Sequence, residues 1–330
     1  MGSAMGSIVV ARWGSSPHIT VLLAVYDTSP ALLKPAVESI CRQSWEDFEL
    51  LILDDGSRSD ATLDCLHELA KNDSRIRLLR EPHRGLTATL NRGVALARGK
   101  WIARQDADDW SEPCRLSRQA AWLASNPAAI LCGSNAFLHR EDASLLWPTR
   151  LPLTGEEIAR TFWSGNPFVH GSVMFASEAA RGIGGYREEF PCSQDYDFFW
   201  RMSERGVAVN LAEPLYHYRY TSGSVSARRA FDQARSHRAA QILSTARRGG
   251  GSQTVAQALQ EADTQLGRRV WFRCALKQAD HRLLAGDHGG ALMAYSGLCL
   301  RRPWDPLGWG KLVRSILFAS VPAVRQASFG

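Results

Sequence analysis

Short apolar runs alternate with stretches of helical spacing over the first third of the chain, and this alternation limits the folds that the chain can adopt. The apolar, β-rich runs lie at Ile19–Tyr26, Phe48–Leu53, Arg75–Leu79 and Trp101–Arg104. The helical stretches between them are Ala31–Arg42, Ala61–Lys71 after the capping candidate Asp60, and Leu86–Arg98, which ends at Gly99. Strands that alternate with helices of this length predict an α/β fold with a doubly wound, mostly parallel sheet whose strands are buried on both faces.

Acidic residues cluster where three of these predicted strands end: Asp27, then Asp54 and Asp55, then Asp106, Asp108 and Asp109. In a doubly wound sheet, ligands bind at the carboxyl ends of the strands. Carboxylates that lie close together repel one another unless a cation or a donor compensates for their charge. Asp106 and Asp108 can both approach one hard cation, and their oxygen donors favour Mg²⁺ or Mn²⁺ over zinc. The alternative interpretation is that each cluster only caps its own turn.

Two other phosphate-binding devices are absent from the sequence. The segment from Gly93 to Lys100 resembles a Walker loop, but five residues separate its glycines and Trp101 stands where Ser or Thr is required. No GxGxxG motif follows the first strand. Phosphate binding is therefore expected to depend on the metal.

A chain of 330 residues predicts two domains, or one large α/β domain with an appendage. Its hydrophobic fraction of 45% excludes the disordered and low-complexity classes. No apolar run reaches the roughly 18 residues of a membrane span. The seven cysteines form no CxxC pair, which predicts a reducing, cytoplasmic setting instead of a disulfide scaffold or zinc ribbon. The opening Met-Gly-Ser-Ala-Met-Gly-Ser is typical of an expression tag, and residues 1–17 are predicted to be a disordered lead.

The charge is divided unevenly along the chain. Residues 1–227 contain 23 Lys and Arg against 27 Asp and Glu, whereas residues 228–330 contain 16 against 6. Helical spacing over Ala230–Arg247, Val255–Leu266, Val270–Leu284 and Gly290–Leu298 predicts a small, basic, helical region at residues 228–330. Such a region suits an anionic partner, or its arginines form a solvated helical face. Because these arginines are scattered without a recognisable motif, we expect no nucleic-acid binding.

The last segment of the chain is aromatic, basic and amphipathic. It contains Trp304, Trp309, Lys311 and Arg314 together with the apolar residues Leu312, Val313, Ile316, Leu317 and Phe318. A helix of this composition can lie on the inner face of a membrane, near a lipid-linked acceptor. It can equally pack on the catalytic domain or on a partner subunit, and the oligomeric state stays open.

Taken in order, the motifs of residues 18–226 resemble those of the family-two glycosyltransferases. The similar segments are the strand 19–27, the Asp-Asp-Gly-Ser turn 54–57, Gly85-Leu86, Asn91-Arg92-Gly93, the Asp-Ala-Asp-Asp loop 106–109, Arg115-Leu116, Gln119, the segment 167–175 and Gln194-Asp195. The resemblance implies a GT-A fold with a Rossmann-like sheet over residues 18–227. It also implies a hexosyltransferase that transfers a sugar from a nucleotide-diphosphate donor with inversion at the anomeric carbon. A UDP-sugar is the favoured donor. The acceptor is a hydroxyl of a glycan, of a lipid-linked molecule or of another compound. Mn²⁺ or Mg²⁺ is the implied cofactor, and bacterial surface polysaccharide or glycoconjugate biosynthesis is the implied process.

The resemblance also assigns donor-binding residues. The nucleoside is expected to contact Ala24, Tyr26, Asp54 and Asp55, and Arg84 is expected near the base or the phosphates. Asp106 and Asp108, with Ala107 between them, are the expected metal-binding element. Arg219 is expected to meet the donor diphosphate. Thr221 stands where the family has a histidine, and His217 is a candidate substitute for that histidine.

An acceptor hydroxyl must lose its proton as it attacks, which requires a positioned general base. The family places an Asp in this role after an acid, and here the pair reads Gln194-Asp195. Asp195 is therefore the predicted base, with a neutral Gln194 beside it on the acceptor side. Asp197 competes for the role, but its place in a helical run favours burial. His170 is predicted either on the acceptor side or as a core histidine.

Three functions are compatible with these residues. The first is the metal-dependent glycosyltransferase, and the second is a non-catalytic module that binds a sugar nucleotide or glycan on the same fold. The third is a nucleotidyltransferase, although the loop after the first strand lacks the glycine-rich, basic sequence of that class.

Overall fold

The computed structural model describes residues 17–221 and 229–319. Within these ranges the chain forms two compact units. The first unit comprises residues 17–138, 146–190 and 194–218, and the second comprises residues 139–145, 191–193 and those after 218. The predicted domain boundary at 227 and nearly all of the predicted lead at 1–17 lie outside the described residues.

The amino-terminal half of the first unit is a parallel sheet with helical crossovers, as the strand-helix alternation predicts. Its strands are β1 (Ile19–Val25), β2 (Phe48–Asp54), β3 (Ile76–Arg80) and β4 (Trp101–Gln105), in the spatial order β3-β2-β1-β4. The connecting helices are α1 (Pro30–Cys41), α2 (Asp60–Asn72) and α3 (Leu86–Leu96). Three pairs are parallel: β1 with β2, β1 with β4, and β2 with β3. Their carboxyl ends therefore share one edge.

The sheet continues beyond β4 with antiparallel strands, so the whole sheet is mixed. The further strands are β5 (Trp110–Ser111), β6 (Ala129–His139), β7 (Leu145–Pro148), β8 (Met174–Ala176) and β9 (Val207–Arg219), and the order continues β4-β8-β6-β9-β5 with β7 beside β6. Strand β8 runs antiparallel to both β4 and β6. The helices of this half are α4 (Arg115–Ser125), α5 (Gly155–Thr161), a 3-10 turn at His170–Ser172, α6 (Ser177–Gly182) and α7 (Gln194–Ser203).

The prediction that every early strand is buried on both faces is correct for three of the four strands. Strands β1, β2 and β4 are buried along their whole length. Strand β3 is only partly buried, because it is the terminal strand of the sheet and has a neighbour on one side only.

The predicted helix ends all lie within three residues of the observed ends, and side-chain contacts account for two of the differences. Asp60 is the first residue of α2, and the cap is Ser59, whose Oγ accepts a 3.3 Å hydrogen bond from the Thr62 amide. Helix α3 ends at Leu96, before the predicted Arg98. The amides of Arg98 and Gly99 instead donate to Thr20 Oγ1, at 3.1 and 2.9 Å, so the chain leaves the helix to meet β1.

The second unit is helical, as predicted. Its helices are α8 (Ala230–Arg248), α9 (Val255–Gln265), α10 (Arg268–Ala285), α11 (His288–Arg301) and α12 (Pro306–Ala319). Buried apolar side chains join α10 and α11, among them Phe272, Leu276, Tyr295 and Leu298, and Leu312 of α12 packs against them. In the described part of the chain no helix has both the length and the apolar character needed to cross a bilayer. All seven cysteines, which lie within the described ranges, are free thiols.

Candidate functional site

Three acid-bearing turns meet at the carboxyl edge of the parallel strands. Val25 of β1 pairs with Asp54 of β2, and Leu23 pairs with Gln105 of β4. The turns that follow these positions therefore begin side by side. They carry Asp27, Asp55 and Asp106, as the sequence pattern predicts.

Asp27 holds the turn that follows β2. It adopts a left-handed backbone conformation, with φ of 47°, and its Oδ1 accepts hydrogen bonds from the Arg58 and Ser59 amides at 2.7 and 2.9 Å. These backbone donors lower the pKa of the Asp27 carboxyl. The capping interpretation therefore applies to Asp27.

The buried Asp54 side chain stabilises the same turn from inside. Its Oδ1 accepts a 3.0 Å hydrogen bond from the Ser57 amide, and Arg80 Nε lies 3.3 Å from Oδ2. Gly56, between them, has a φ of 75°, and a Cβ there would lie 2.7 Å from the His83 amide nitrogen. Only glycine fits such a turn.

Asp55 connects the β2 turn to the start of α3. Its two oxygens accept hydrogen bonds from the amides of Arg84 and Gly85, at 2.8 and 2.9 Å, while the Arg84 side chain points into solvent. His83 Nδ1 lies 2.9 Å from Asp55 Oδ2. The His83 ring stacks on Tyr26, with ring centres 4.1 Å apart, and Tyr26 is 42% exposed. An exposed aromatic face thus lies beside a buried carboxylate. Ala24, the residue before Val25 in β1, is buried.

Arg104 positions the carboxylate of Asp106. Arg104 is almost fully buried in β4, and its Nη2 lies 2.6 Å from Asp106 Oδ1 while Nη1 donates to the Leu22 carbonyl at 2.9 Å. The Asp106 amide donates to the Tyr216 hydroxyl at 3.1 Å. Gln105 Nε2 donates to the carbonyls of Asp106 and Asp109, at 3.0 Å each. The Asp-Ala-Asp-Asp loop is therefore held in one shape, with Asp106 and Asp108 partly exposed and Ala107 buried.

Gly171 packs directly against this loop. A Cβ on Gly171 would lie 1.9 Å from the Tyr216 hydroxyl and 2.8 Å from Asp106 Oδ2, so no larger residue fits there. The fully buried Arg115 joins the two segments, because its Nη1 donates to the carbonyls of Arg104 at 2.9 Å and Gly171 at 2.6 Å. Burial lowers the pKa of Arg115 to about 10.

Asp195 lies in the first turn of α7, where its Oδ2 accepts a 2.8 Å hydrogen bond from Asn166 Nδ2. His170 lies near both Asp195 and the predicted metal-binding element. Its Nδ1 is 3.8 Å from Asp106 Oδ1 and its Nε2 is 3.4 Å from the Tyr186 hydroxyl. Burial lowers the pKa of His170, and the negative charges of Asp106 and Asp195 partly oppose this effect. The structure thus brings these predicted residues into one neighbourhood.

Asp197 and Gln194 occupy the rest of the first turn of α7. Asp197 is buried between Arg187, 3.0 Å from Oδ1, and Arg201, 2.7 Å from Oδ2. Arg201 also donates to the carbonyls of Ile183 and Gly185, at 2.8 and 2.6 Å. Asp197 therefore serves packing, in agreement with the burial expected from its helical run. Gln194 is likewise buried.

Two predicted diphosphate contacts have other partners. His217 Nε2 lies 2.8 Å from Glu112 Oε1, and its ring stacks with Trp110 and Phe137 at centre distances of 4.8 and 5.1 Å. Burial lowers the pKa of His217. Arg219 belongs to the second unit, where its Nη1 donates to the Glu141 carbonyl at 3.2 Å. The segment 216–226 is the one expected to form the family's closing element, and its residues 222–226 lie outside the described residues.

Sequence reasoning missed four residues that contact the predicted ones: His83, Arg104, Asn166 and Tyr186. Arg104 had a usable signal, because it is a charged residue inside a buried strand and lies two positions before Asp106. Asn166 had none, since its partner Asp195 is 29 residues away.

The donor set at this edge suits a cation shared with a substrate. Among the described residues, no group of three or more His, Cys, Asp or Glu side chains is placed to hold a metal ion. Asp106 and Asp108 are two partly exposed carboxylates on one loop. Mg²⁺ and Mn²⁺ commonly bind one or two carboxylates and complete their coordination with phosphate oxygens and water. The two carboxylates therefore fit such an ion.

Comparisons with known proteins agree with this geometry. The profile of the glycosyl transferase family 2 matches residues 20–181. The chain is 33% identical over 222 residues to the putative glycosyltransferase EpsE of Bacillus subtilis, an alignment that covers 66% of this chain and 78% of EpsE. It is 32% identical over 228 residues to the O-antigen biosynthesis protein RfbC of Myxococcus xanthus, which covers 67% of this chain and only 17% of RfbC.

Solved structures with a similar fold include two proteins in complex with nucleotide sugars. The mannosyltransferase PcManGT from Pyrobaculum calidifontis, in complex with GDP-Man and Mn²⁺, superposes with a TM-score of 0.55 at 17% identity, covering 96% of this chain and 91% of that one. Residues 1–349 of S. aureus TarS, in complex with UDP-GlcNAc, superpose with a TM-score of 0.55 at 14% identity, covering 90% and 88%. At these identities the similarity shows the fold, which is GT-A. The chain belongs to glycosyl transferase family 2 and is a glycosyltransferase.

Proposed function

We propose that the protein moves a hexosyl group, with inversion and with a divalent cation, from a nucleotide-diphosphate sugar to an acceptor hydroxyl. The observation that carries the proposal is that Asp106 and Asp195 both lie near His170: Nδ1 of His170 is 3.8 Å from Asp106 Oδ1, and the negative charges of both carboxylates act on the pKa of His170. A proposed metal-binding carboxylate and a candidate base thereby lie in one neighbourhood. Both groups are required where a diphosphate leaves and a hydroxyl attacks.

The donor nucleoside is assigned to the edge formed by Ala24, Tyr26, Asp54 and Asp55. The exposed Tyr26 ring, supported by His83 at 4.1 Å, offers a flat face on which a base can stack. Arg84 is exposed beside Asp55 and offers a positive charge to the phosphates. Arg219 remains a proposed diphosphate contact. A UDP-sugar is the favoured donor. GDP-sugars are the alternative to test, because PcManGT was solved in complex with GDP-Man.

Asp106 and Asp108 are the residues that would hold Mn²⁺ or Mg²⁺. When bound, the cation offsets the negative charge that develops on the departing diphosphate. Arg104 keeps Asp106 Oδ1 in one position, at 2.6 Å, so the loop needs little rearrangement before a donor binds.

Asp195 is assigned as the general base. The Asn166 amide holds its Oδ2 at 2.8 Å, which restricts the carboxylate to one orientation. Asp195 would accept the proton of the acceptor hydroxyl as that oxygen attacks the anomeric carbon. Attack on the face opposite the leaving diphosphate inverts the anomeric centre. Gln194 and His170 are assigned to the acceptor side.

The acceptor is proposed to be a growing glycan or a lipid-linked sugar of bacterial surface polysaccharide or glycoconjugate biosynthesis. The relative RfbC carries O-antigen biosynthesis in its name, which supports this assignment.

Isothermal titration of UDP, GDP, dTDP and CDP, each with and without Mn²⁺, tests the donor and metal assignments. We expect one nucleotide to bind, and Mn²⁺ to tighten that binding by at least about tenfold in the wild type. In Asp108→Ala this gain should disappear, because one of the two proposed carboxylate ligands is gone. The matched control is Asp64→Ala, which removes an exposed carboxylate of α2 and should keep the wild-type response.

A normal Mn²⁺ response in Asp108→Ala would refute the metal assignment. Failure of all four nucleotides to bind the wild type would refute the donor assignment and favour a glycan-binding module on this fold.

A further inference from the structure

The helices at the end of the second unit expose large apolar side chains. Leu300 of α11 is 81% exposed, and Trp304, in the turn between α11 and α12, is 80% exposed. The inward side of these helices is already filled by the apolar cluster around Phe272, Leu276 and Leu298. The exposed side chains are therefore not part of the core of this unit. Exposed apolar patches with a polar rim often mark surfaces that contact a protein or a membrane.

Trp304 also lines a cavity of about 450 Å³ whose walls are aromatic and basic. The cavity is lined by Trp271, Phe272, Arg301, Arg302 and Trp304. We call these five residues, together with Leu300, the Trp304 patch.

The two arginines of the Trp304 patch are held by aromatic rings. The guanidinium carbon of Arg301 lies 5.6 Å from the centre of the Trp271 ring, and that of Arg302 lies 5.1 Å from the centre of the Phe272 ring. Contact with a ring face orients a guanidinium without neutralising it. Two fixed positive charges therefore line the same cavity.

The region of the chain that carries the patch is rich in positively charged residues. Residues 228–330 contain 16 Lys and Arg against 6 Asp and Glu. The acid nearest in sequence, Asp305, is engaged at the start of α12, where its Oδ1 accepts a 3.0 Å hydrogen bond from the Leu307 amide. The partner that complements this surface is anionic.

Trp rings beside Arg side chains are typical of protein surfaces at the boundary between lipid headgroups and acyl chains, where the ring is partly apolar and the guanidinium stays among phosphates. Leu300 and Trp304 can enter the acyl boundary, while Arg301 and Arg302 meet the headgroup phosphates. We infer that the Trp304 patch docks on the surface of a bilayer that contains anionic phospholipid. This inference does not depend on the transfer reaction, because no residue of the proposed site belongs to the patch.

Flotation of the full chain with lipid vesicles tests the inference. One set of vesicles contains phosphatidylglycerol in phosphatidylcholine, and the other contains phosphatidylcholine alone. We expect binding only to the first set, and we expect it to weaken as salt is added because the headgroup attraction is screened. The double variant Arg301→Gln/Arg302→Gln should lower the partition coefficient at least about tenfold. Trp304→Ser should also lower it.

The matched control is Arg42→Gln/Arg160→Gln, which removes the same net charge from two arginines of the first unit that are 64% and 69% exposed. This control should bind like the wild type. Urea unfolding of every variant reports that each one is folded. Nucleotide titration, run in parallel, separates this result from any failure of the proposed donor site.

Four outcomes would overturn the inference. Equal binding to both kinds of vesicle would show that anionic phospholipid is not required. An equal loss of binding in the control and in the Arg301/Arg302 variant would show that the Trp304 patch is not the docking surface. Displacement from vesicles by soluble glycerophosphoglycerol would reassign the arginines to a soluble anion. A fall in molecular mass of Trp304→Ser in light scattering would show that a second copy of the chain covers the patch.

Discussion

At the residue scale, the first turn of α7 carries two aspartates whose surroundings differ. Asp195 is partly exposed and accepts one hydrogen bond from a neutral amide, Asn166. Asp197, two residues later, is buried between two guanidinium groups. A carboxylate enclosed by two cations cannot reach a substrate proton. The proposed division of roles between the two acids therefore follows from their partners.

Asp195→Asn should depress sugar transfer by about 10²–10⁴-fold, because an amide cannot accept the acceptor proton. Donor affinity should stay at the wild-type value. Steady-state transfer rates and nucleotide titration measure the two effects. Turnover near that of the wild type would move the base to another residue.

The comparison variant is Asp197→Asn, which leaves the buried Arg201 and the half-buried Arg187 with one neutral partner. We expect the free energy of unfolding to fall by about 3–5 kcal/mol, since breaking a buried ion pair leaves an uncompensated charge. Urea unfolding measures this loss. The pair of variants thus separates a chemical defect from a structural one.

At the element scale, helix α3 lies so close to β1 that one glycine determines the contact. A Cβ on Gly93 would lie 2.2 Å from Leu22 Cδ1, and Leu22 is completely buried. The backbone of the helix thus packs directly on a strand side chain. The first strand, whose end begins the site, is positioned in part by this contact.

Gly93→Ala should destabilise the protein by about 1–3 kcal/mol through overpacking. Without that contact, Gly→Ala inside a helix would stabilise by up to about 1 kcal/mol. Leu22→Ala should cost about 2–5 kcal/mol, and the double variant should cost less than the sum because the smaller side chain leaves room for the new methyl group. Urea unfolding of the three variants measures the cycle.

Gly297→Ala in α11 is the matched control, since nothing lies within 4 Å of a Cβ there. This variant should be neutral or slightly more stable. Strict additivity of Gly93→Ala and Leu22→Ala would contradict the proposed contact.

At the scale of the whole molecule, stability depends on pH through buried histidines. Burial lowers the pKa of His281, in α10, to about 4, with the positive charge of Lys277 adding to the effect and Asp280 opposing it. An unfolded histidine has a pKa of about 6.5. Between these values the unfolded chain binds the proton and the folded chain does not. Stability is therefore complete above about pH 6.5 and is lost as the pH falls towards 4.

The contribution of His281 is about 3 kcal/mol, from the difference between the two pKa values. We expect His281→Gln to show a smaller loss of stability between about pH 7 and pH 5 than the wild type does. Urea unfolding across this range measures the slope for both proteins. An unchanged slope in the variant would assign the acid sensitivity to other groups, such as His170 and His217, whose pKa values burial also lowers.

The local pattern of the sequence was sufficient to predict the parallel part of the sheet and the acidic residues at its carboxyl edge. Apolar periodicity is a property of neighbouring residues, and it predicted the four early strands and the helices between them. The carboxyl ends of parallel strands lie at one edge of the sheet. Because Asp54 and Asp106 follow predicted strands, the sequence already indicated that these two residues lie at the same edge. The same reasoning predicted the helices of the second unit, whose periodicity is equally local.

Contacts between residues distant in sequence were decided only by the tertiary structure. Asn166 orients Asp195 across 29 residues, and the Asp106 amide meets the Tyr216 hydroxyl across 110. Helix α3 ends two residues before its predicted end, where the amides of Arg98 and Gly99 donate hydrogen bonds to Thr20 of β1. No short window of sequence encodes these partners, because each depends on how strands and helices pack. The sequence therefore determined which residues reach the edge of the sheet, and packing decided which carboxylates remain available for chemistry.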